Sequence, residues 1–209
     1  MSDRKIDIEN WNRKWHFLFF KEFTEPFHGM TVDIDCTQLL AYSKVSGHSF
    51  FALYLHKILK ALNKVEALKL RIRGEEVWLL DQVSASATLS RSNDTFGFSN
   101  IEYDDDIKVF SENIVKEKAR LENETGLNTG IYGDDVIHFS ALPWIKFTSL
   151  SHARNLGYPD SCPKISVGKV FLDHDGNHKM PLSIHVHHAL VDALPIARFL
   201  ELLEEEFRL

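Results

Sequence analysis

The fold is decided by the stretch Met180-Pro181-Leu182-Ser183-Ile184-His185-Val186-His187-His188-Ala189-Leu190-Val191-Asp192. Apolar and polar residues alternate up to His187, which predicts a β-strand over 181–187. The amphipathic segment 193–207 predicts a helix directly afterwards, with Asp192 as its N-cap and Pro195 tolerated in the first turn. The histidine pair at 187 and 188 therefore lies where a strand leads into a helix.

His188 is the strongest candidate for a chemical role. Side chains alternate along a strand, so the even-numbered residues from 182 to 186 share an apolar face, and His188 falls on that side. Apolar surroundings favour a neutral imidazole, and a neutral histidine that meets a carboxylate four residues on can take a proton from a hydroxyl group. The spacing from His188 to Asp192 therefore indicates a general base. The alternative from the same residues is a buried histidine that bonds a backbone carbonyl.

The other face of the same strand allows a metal site. His185 and His187 project together, as histidine ligands of a metal do. However, no further spaced histidine or cysteine completes a coordination shell, so we expect no metal.

Composition places the chain among soluble globular proteins. Its 209 residues are 44% hydrophobic and 26% charged, which suits one domain over 1–209. The net charge is -6 and the basic residues are dispersed, so we expect no nucleic-acid partner. The N-terminal sequence lacks the apolar region of a signal peptide and no apolar run reaches membrane-spanning length, which predicts a cytoplasmic protein without membrane contact. Cys36 and Cys162 are expected to be reduced.

Helices and strands are mixed along the chain. Helices are predicted at 10–20, 37–42, 50–62 and 105–123, the third capped by Ser49. Strands are predicted at 30–35, 86–89, 95–100, 145–149 and 164–170, with a hairpin of 68–72 and 77–80 that turns at Gly74. The first helix depends on an apolar stripe formed by Trp11, Trp15, Leu18 and Phe19. This mixture predicts an α+β two-layer sandwich, in which helices cover a mixed sheet.

Four segments, in order, resemble the chloramphenicol acetyltransferase family over nearly the whole chain. Residues 10–17, Asn-Trp-Asn-Arg-Lys-Trp-His-Phe, are similar to the family's N-W-x-R-x-x-H-F. Residues 140–149 are similar to its S-A-L-P-W-x-x-F-x-S, and 163–169 resemble a third block less closely. Residues 180–192 look like its catalytic signature. By contrast, the chain contains no G-x-G-x-x-G, Walker or G-x-S-x-G motif.

The resemblance implies a CoA-dependent acyltransferase fold and a homotrimer with active sites between subunits. It implies that an acceptor hydroxyl, deprotonated by His188, attacks the thioester of acetyl-CoA directly, without an acyl-enzyme. Ser149 occupies the position whose hydroxyl stabilises the oxyanion. Asp192 would pair with Arg13 and lock the loop that carries His188. Ser166 matches a threonine that helps bind the transition state, and Lys169 matches a lysine near the CoA phosphates.

The resemblance also places five residues at positions of the acceptor pocket: Phe20, Thr24, His28, Phe96 and Phe98. Phe20 replaces a tyrosine that binds the hydroxyl of chloramphenicol, and Phe98 replaces a small residue. The charged segment 152–162 replaces a largely apolar wall. We therefore expect either chloramphenicol, as in antibiotic resistance, or another small hydroxylated acceptor.

A second departure lies beside the catalytic signature, where Ala193 replaces the family's glycine. Alanine is strained if that position needs a positive φ. This departure and the altered pocket leave one alternative open, a catalytically degenerate member that binds CoA or a small molecule without turnover.

Overall fold

The computed structural model describes residues 2–127, 133–156 and 159–208. Its helices are α1 (Lys14–Phe20), α2 (Thr37–Ser43), α3 (Phe50–Asn63), α4 (Ile107–Asn123) and α5 (Ala193–Phe207). Its strands are β1 (Arg4–Lys5), β2 (Phe27–Asp35), β3 (Leu70–Arg73), β4 (Glu76–Leu79), β5 (Ser84–Ser90), β6 (Phe96–Phe98), β7 (Val136–Leu142), β8 (Lys164–Gly168), β9 (Phe171–Leu172) and β10 (His178–His187). Short 3-10 helices occupy Ile8–Asn10 and Glu66–Lys69.

The main sheet is mixed, as predicted. Its strand order is β2-β10-β8-β7-β5-β6, and β9 pairs with β10 outside this path. The pairs β5·β7 and β7·β8 are parallel, and the others are antiparallel. A smaller sheet, β1-β4-β3, contains the predicted hairpin. Its two-residue turn begins at Gly74, which has a φ of 64°. Glycine adopts this positive φ without strain.

Helices cover one face of the main sheet. The core-facing residues of β10, Leu182, Ile184 and Val186, are fully buried in the same cluster as residues of α3 and α5. The Ser49 side chain accepts a hydrogen bond from the Ala52 amide, so the predicted cap of α3 is present. This arrangement confirms the α+β layers expected from the sequence.

The opposite face of the sheet is polar and yet also buried. Ser166 and Ser183 occupy facing positions of β8 and β10 and have no exposed surface. The segment between β7 and β8 covers them. A Cβ at Gly168 would lie 2.9 Å from the Ile145 carbonyl oxygen and 2.9 Å from the Phe147 ring, so glycine permits this close approach.

Two sequence predictions are wrong. Residues 145–149 do not form a strand; the strand is β7, which ends before a turn at Pro143 and pairs between β5 and β8. The helix predicted at 10–20 begins only at Lys14, and its apolar stripe faces outward, with Trp15 75% and Phe19 62% exposed. The buried residue of that helix is Phe17.

The other elements agree with the predictions apart from their ends, and β1 and β9 were not predicted. Cys36 and Cys162 are both free and buried. Among the described residues, no helix has the length and apolar character that crossing a membrane requires.

A buried arginine joins the small sheet to the main sheet. The Arg71 side chain is fully buried and donates four hydrogen bonds, all to backbone carbonyls. Two acceptors, Leu68 and Leu70, lie beside β3, and the other two, Asp134 and Val136, lie at the start of β7. The bonds to Asp134 and Val136 measure 2.6 and 3.0 Å. One guanidinium therefore satisfies backbone carbonyls of both sheets, and three of its four bonds are buried.

We predict that Arg71→Leu lowers the free energy of unfolding by about 3–5 kcal/mol, because it leaves buried carbonyls without donors. Urea denaturation measures the change. The control is Arg208→Leu, which removes an exposed pair with Glu204 and is expected to cost less than about 1 kcal/mol. Equal losses in the two variants would contradict the role given to Arg71.

Candidate active site

His188 lies in the turn that joins β10 to α5. Its backbone amide donates to the Pro26 carbonyl at 2.8 Å, and its Nδ1 lies 3.2 Å from the Val191 carbonyl oxygen. A carbonyl only accepts, so the hydrogen of this bond belongs to Nδ1. In the neutral ring Nε2 then carries a lone pair and can accept a proton. The ring also stacks on Phe20, with centroids 4.0 Å apart.

His28 shares the acceptor that holds His188. Its Nε2 lies 3.1 Å from the same Val191 carbonyl oxygen, and the two imidazole rings are 4.2 Å apart. Burial lowers the pKa of His28, and the proximity of His188 lowers it further. Both rings can donate to Val191 at once because a carbonyl oxygen has two lone pairs. The structure therefore brings together His188, Phe20 and His28, which the sequence placed in base and pocket roles.

An ion pair fixes the end of this turn. Arg13 Nη1 lies 2.6 Å from Asp192 Oδ2, and Arg13 Nη2 donates to the His188 carbonyl at 3.3 Å. The Asp192 side chain also accepts from the Leu194 amide at 3.3 Å, which makes it the N-cap of α5. Partial burial raises the pKa of Asp192, but the hydrogen bond and charge of Arg13, together with the bond from the Leu194 amide, outweigh it and the net pKa is lowered. The contact expected between Arg13 and Asp192 is present.

Ala193 does not strain this turn. Among the described residues, Asp94 is the one non-glycine residue with positive φ, and Ala193 simply begins α5. The cost expected for alanine at a left-handed position therefore does not arise.

A second group of predicted residues lies elsewhere in the chain. Ser149 and Lys169 are exposed, and Lys169 follows β8, where its amide donates to the Ile145 carbonyl at 2.8 Å. Ser166 is fully buried, and its hydroxyl has no hydrogen-bond partner within the described chain. A buried hydroxyl without a partner is uncommon and marks Ser166 as a group available to a ligand.

The five residues predicted to line the acceptor pocket lie in different places: some are beside His188 and others are not. Phe20 and His28 touch His188, while Thr24 is exposed on the connection between α1 and β2. Phe96 and Phe98 lie on β6 at the far edge of the sheet, with ring centroids 5.6 Å apart. The resemblance implies that these five residues form one pocket, and among the described residues no ring contact or hydrogen bond links Phe20 or His28 to Phe96 or Phe98.

The two groups occupy opposite faces of the sheet. His28 pairs with Val186 and so shares the helix-covered face, where His188 contacts it. Ser166 pairs with Ser183 on the polar face. Among the described residues, the hydrogen bonds and ring contacts of His188 include none with Ser149, Ser166 or Lys169.

Large apolar side chains are exposed near both groups. Trp15, Phe19 and Phe23 are exposed on and after α1, and the rings of Phe19 and Phe23 contact Phe20, which stacks on His188. Trp144 and Ile145 are exposed in the segment that leads to Ser149. Exposed apolar surface of this kind is typical of protein interfaces.

The two histidines of β10 that could ligate a metal have other contacts. His185 packs edge-on against His152, and His187 packs edge-on against Phe27. His187 Nδ1 instead accepts from the Ala189 amide at 3.3 Å. Another set of possible ligand atoms lies within 4.8 Å of one another, on His138, Asp160 and Cys162.

That set belongs to a polar cluster the sequence did not reveal. Lys164 forms an ion pair with Asp160, and His138 Nε2 lies 4.0 Å from Asp160 Oδ1. Burial raises the pKa of Asp160, but the charge and hydrogen bond of Lys164, together with the bond from the Cys162 amide, outweigh it and the net pKa is lowered. The cluster was missed because β7 was not predicted. The polar residues His138 and Ser140, on either side of the buried Phe139, were the available signal.

Known proteins are similar to this chain over nearly its whole length. A model of the chloramphenicol acetyltransferase family matches residues 1–204. Chloramphenicol acetyltransferase 3 of Escherichia coli is 30% identical over 209 residues, which cover 98% of this chain and 97% of the relative. A chloramphenicol acetyltransferase of Clostridium perfringens is 28% identical, with 98% of each chain covered.

Solved structures of acetyltransferases are also similar to this chain. A chloramphenicol acetyltransferase superposes with a TM-score of 0.90 at 25% identity, covering 98% of this chain and 99% of its own. A probable dihydrolipoamide acetyltransferase of Listeria monocytogenes has a TM-score of 0.70 at 17% identity, covers 93% of this chain and 88% of its own, and shares the fold.

We predict that Arg13→Ala loosens the turn after His188. The amides of Leu190 and Val191, which bond the His187 carbonyl, are expected to exchange hydrogen about three- to tenfold faster, because Asp192 and the His188 carbonyl lose their common donor. Site-resolved hydrogen exchange measures this. Lys14→Ala, which removes the neighbouring pair with Glu9, serves as the control. Unchanged exchange in Arg13→Ala would contradict the locking role.

Proposed function

The chain belongs to the chloramphenicol acetyltransferase family, and we propose that it transfers the acetyl group of acetyl-CoA to a hydroxyl of chloramphenicol or another small acceptor. Its class, an acyltransferase, and its fold follow from the family. The acetyl-CoA donor, the acceptor, the residue roles and the trimer are parts of the proposal.

The bond from His188 Nδ1 to the Val191 carbonyl is the observation that carries the mechanism. It leaves Nε2 as the ring atom that can accept a proton. In the proposed reaction Nε2 takes the proton of the acceptor hydroxyl while its oxygen attacks the thioester carbon. The tetrahedral intermediate collapses when the carbon–sulfur bond breaks, and the proton held at Nε2 passes to the departing CoA sulfur. The acetyl group moves once, directly, and the histidine ends as it began.

The negative oxygen of the intermediate needs a hydrogen-bond donor. We assign this to the Ser149 hydroxyl, which is exposed on the segment before β8 and is therefore accessible to a substrate. The buried Ser166 hydroxyl lies on the polar face of the sheet and has no hydrogen-bond partner among the described residues, so we assign it to binding of the transition state. Lys169 exposes its ammonium group just after β8, where a cation suits the phosphates of CoA.

The distribution of these residues favours an assembly in which each site is shared. His188 contacts Phe20 and His28, and His28 lies on the helix-covered face, whereas Ser166 lies on the polar face and Ser149 and Lys169 are exposed on either side of β8 in the sequence. A second copy can bring the missing half to each group. The exposed aromatic residues beside both groups supply apolar surface for such contacts. We therefore propose a homotrimer with active sites between subunits.

The alternative is a family member that binds CoA without turnover. The intact turn at Ala193 removes one reason for it, since the departure from glycine introduces no strain there. The cytoplasmic location inferred from the N-terminal sequence stays a prediction.

We predict that thiol release from acetyl-CoA requires an acceptor alcohol and falls about 10²- to 10⁴-fold in His188→Ala, because the base is lost. In Ser149→Ala the loss is expected to be about 10²- to 10³-fold in kcat, because one oxyanion donor is removed. The exposed His174, changed to Ala, is the control and keeps full activity. Chloramphenicol and simple alcohols are the acceptors. No turnover with any acceptor despite CoA binding would favour the non-catalytic alternative.

Mixing inactive subunits tests whether the site is shared. His188→Ala and Ser149→Ala proteins are unfolded together, refolded at equal ratio and assayed. If each site takes His188 from one copy and Ser149 from another, roughly one site in four regains both residues, so activity rises to about a quarter of the original. If both residues act within one chain, mixing restores nothing.

A further inference from the structure

Two rows of polar side chains cross the main sheet beneath the segment that carries Ser149. In one row Ser86, His138, Lys164 and His185 occupy facing positions on successive strands. In the next row Ser140, Ser166 and Ser183 do the same. A covered sheet face is normally apolar because burying polar groups costs free energy. Ser86, Lys164, Ser166 and Ser183 are nevertheless buried in these rows, and the His138 side chain between them is 47% exposed.

A cavity opens onto these rows. It measures about 270 Å³, and its polar lining includes Ser86, His138, Ser140, His152, Asp160 and Lys164; we call it the polar cavity. A larger cavity of about 480 Å³ adjoins it and shares Ser86, Phe98, His138 and Asp160. Together they are large enough for a molecule of one or two rings. His152, which lines the polar cavity, lies three residues after Ser149 in the same connection between β7 and β8.

The charges within the polar cavity are balanced. Lys164, nearly inaccessible to solvent, is neutralised by Asp160. Arg154 forms an ion pair with Glu25 and stacks on Phe27, with 3.8 Å between the guanidinium carbon and the ring centroid. Burial lowers the pKa of His152 to about 4, and burial and then Lys164 lower the pKa of His138, so both rings are neutral at pH 7. The cavity thus offers no uncompensated charge to an ionic ligand.

The groups that remain can both donate and accept hydrogen bonds. His152 Nε2 is buried and has no hydrogen-bond partner among the described residues, and the neutral His138 ring and the Ser86 hydroxyl add further sites. Hydroxyl groups of a ligand have the same dual character. The ring of Phe98 gives the cavity an apolar wall against which the carbon face of a sugar ring can pack.

We propose that the acceptor is a neutral molecule with several hydroxyl groups, such as a sugar ring, held in the polar cavity of one subunit. This inference rests on the proposed function, since one of those hydroxyls would be the one acetylated. The remaining hydroxyls would bond the histidine and serine side chains. A wholly apolar alcohol would leave those buried groups without partners and would be a poor substrate.

The test uses the methyl α-glycosides of glucose, galactose and mannose as probes. Binding to the assembled protein is measured by saturation-transfer NMR, and acetylation by thiol release from acetyl-CoA. His152→Phe removes a hydrogen-bonding ring of the cavity, and His174→Phe, at an exposed histidine, is the matched control. We expect at least one glycoside to bind and be acetylated, and kcat/KM for it to fall at least about tenfold in His152→Phe alone. The loss should lie mainly in KM, and benzyl alcohol turnover should not fall.

Four results overturn the proposal: no glycoside binds; benzyl alcohol or chloramphenicol is acetylated while the glycosides are ignored; glucose 6-phosphate is preferred over the neutral glycosides; or one equivalent of Zn²⁺ binds in a manner lost in Cys162→Ala. In the second case the acetyltransferase function stands and only the acceptor class is wrong. In a further outcome the protein binds a glycoside, loses that binding in His152→Phe and yet acetylates nothing. In that case the ligand class proposed for the polar cavity stands, and the proposed acetyltransferase function is wrong.

Discussion

The carbonyl oxygen of Val191 is the point on which the candidate site depends. It accepts from Nδ1 of His188 and from Nε2 of His28, and so fixes two imidazole rings relative to one backbone group. That carbonyl is itself held in place because Asp192 caps α5 and pairs with Arg13. A base whose free nitrogen is determined by a backbone acceptor needs no carboxylate relay. The nearby carboxylate instead stabilises the turn, which is consistent with its pairing to Arg13 and not to the imidazole.

The sheet separates the two halves of the site. One face is packed against helices and ends at His188, while the other is lined by serine, histidine and lysine beneath the segment that carries Ser149. Among the described residues, His188 has no hydrogen bond or ring contact with Ser149, Ser166 or Lys169, and exposed aromatic residues lie near each half. In the proposed trimer, contact between copies would bury Trp15 or Trp144 and would also complete the site. The polar face would then determine which acceptor the completed site takes.

The sequence alone predicted the parts of this arrangement that depend on local pattern. The strand, turn and helix around His188 follow from alternation, an N-cap and an amphipathic period, all within 180–207. Strand β7 was missed because Val136 and Ile137 are both apolar and hide the alternation, as is usual for a strand paired in parallel on both sides. The segment 145–149 alternates in sequence but runs along the surface. Asp160 and Lys164 are four residues apart, but His138 joins them only because β7 pairs with β8, and the alternation of His138 and Ser140 around Phe139 was the one local signal of that strand. The sequence predicted an apolar stripe on α1, and this stripe faces outward. The periodicity of a helix shows that it has an apolar face but does not show whether the core or another molecule covers that face.

A crystal structure of the assembled protein with CoA would test the role of His188 most directly. We expect a trimer in which the CoA sulfur lies within hydrogen-bond distance of His188 Nε2, while Ser149 and Lys169 of an adjacent copy line the same channel. The ring should keep its bond from Nδ1 to Val191. A structure in which no channel reaches His188, or in which CoA binds far from it, would contradict the assignment of this histidine as the base.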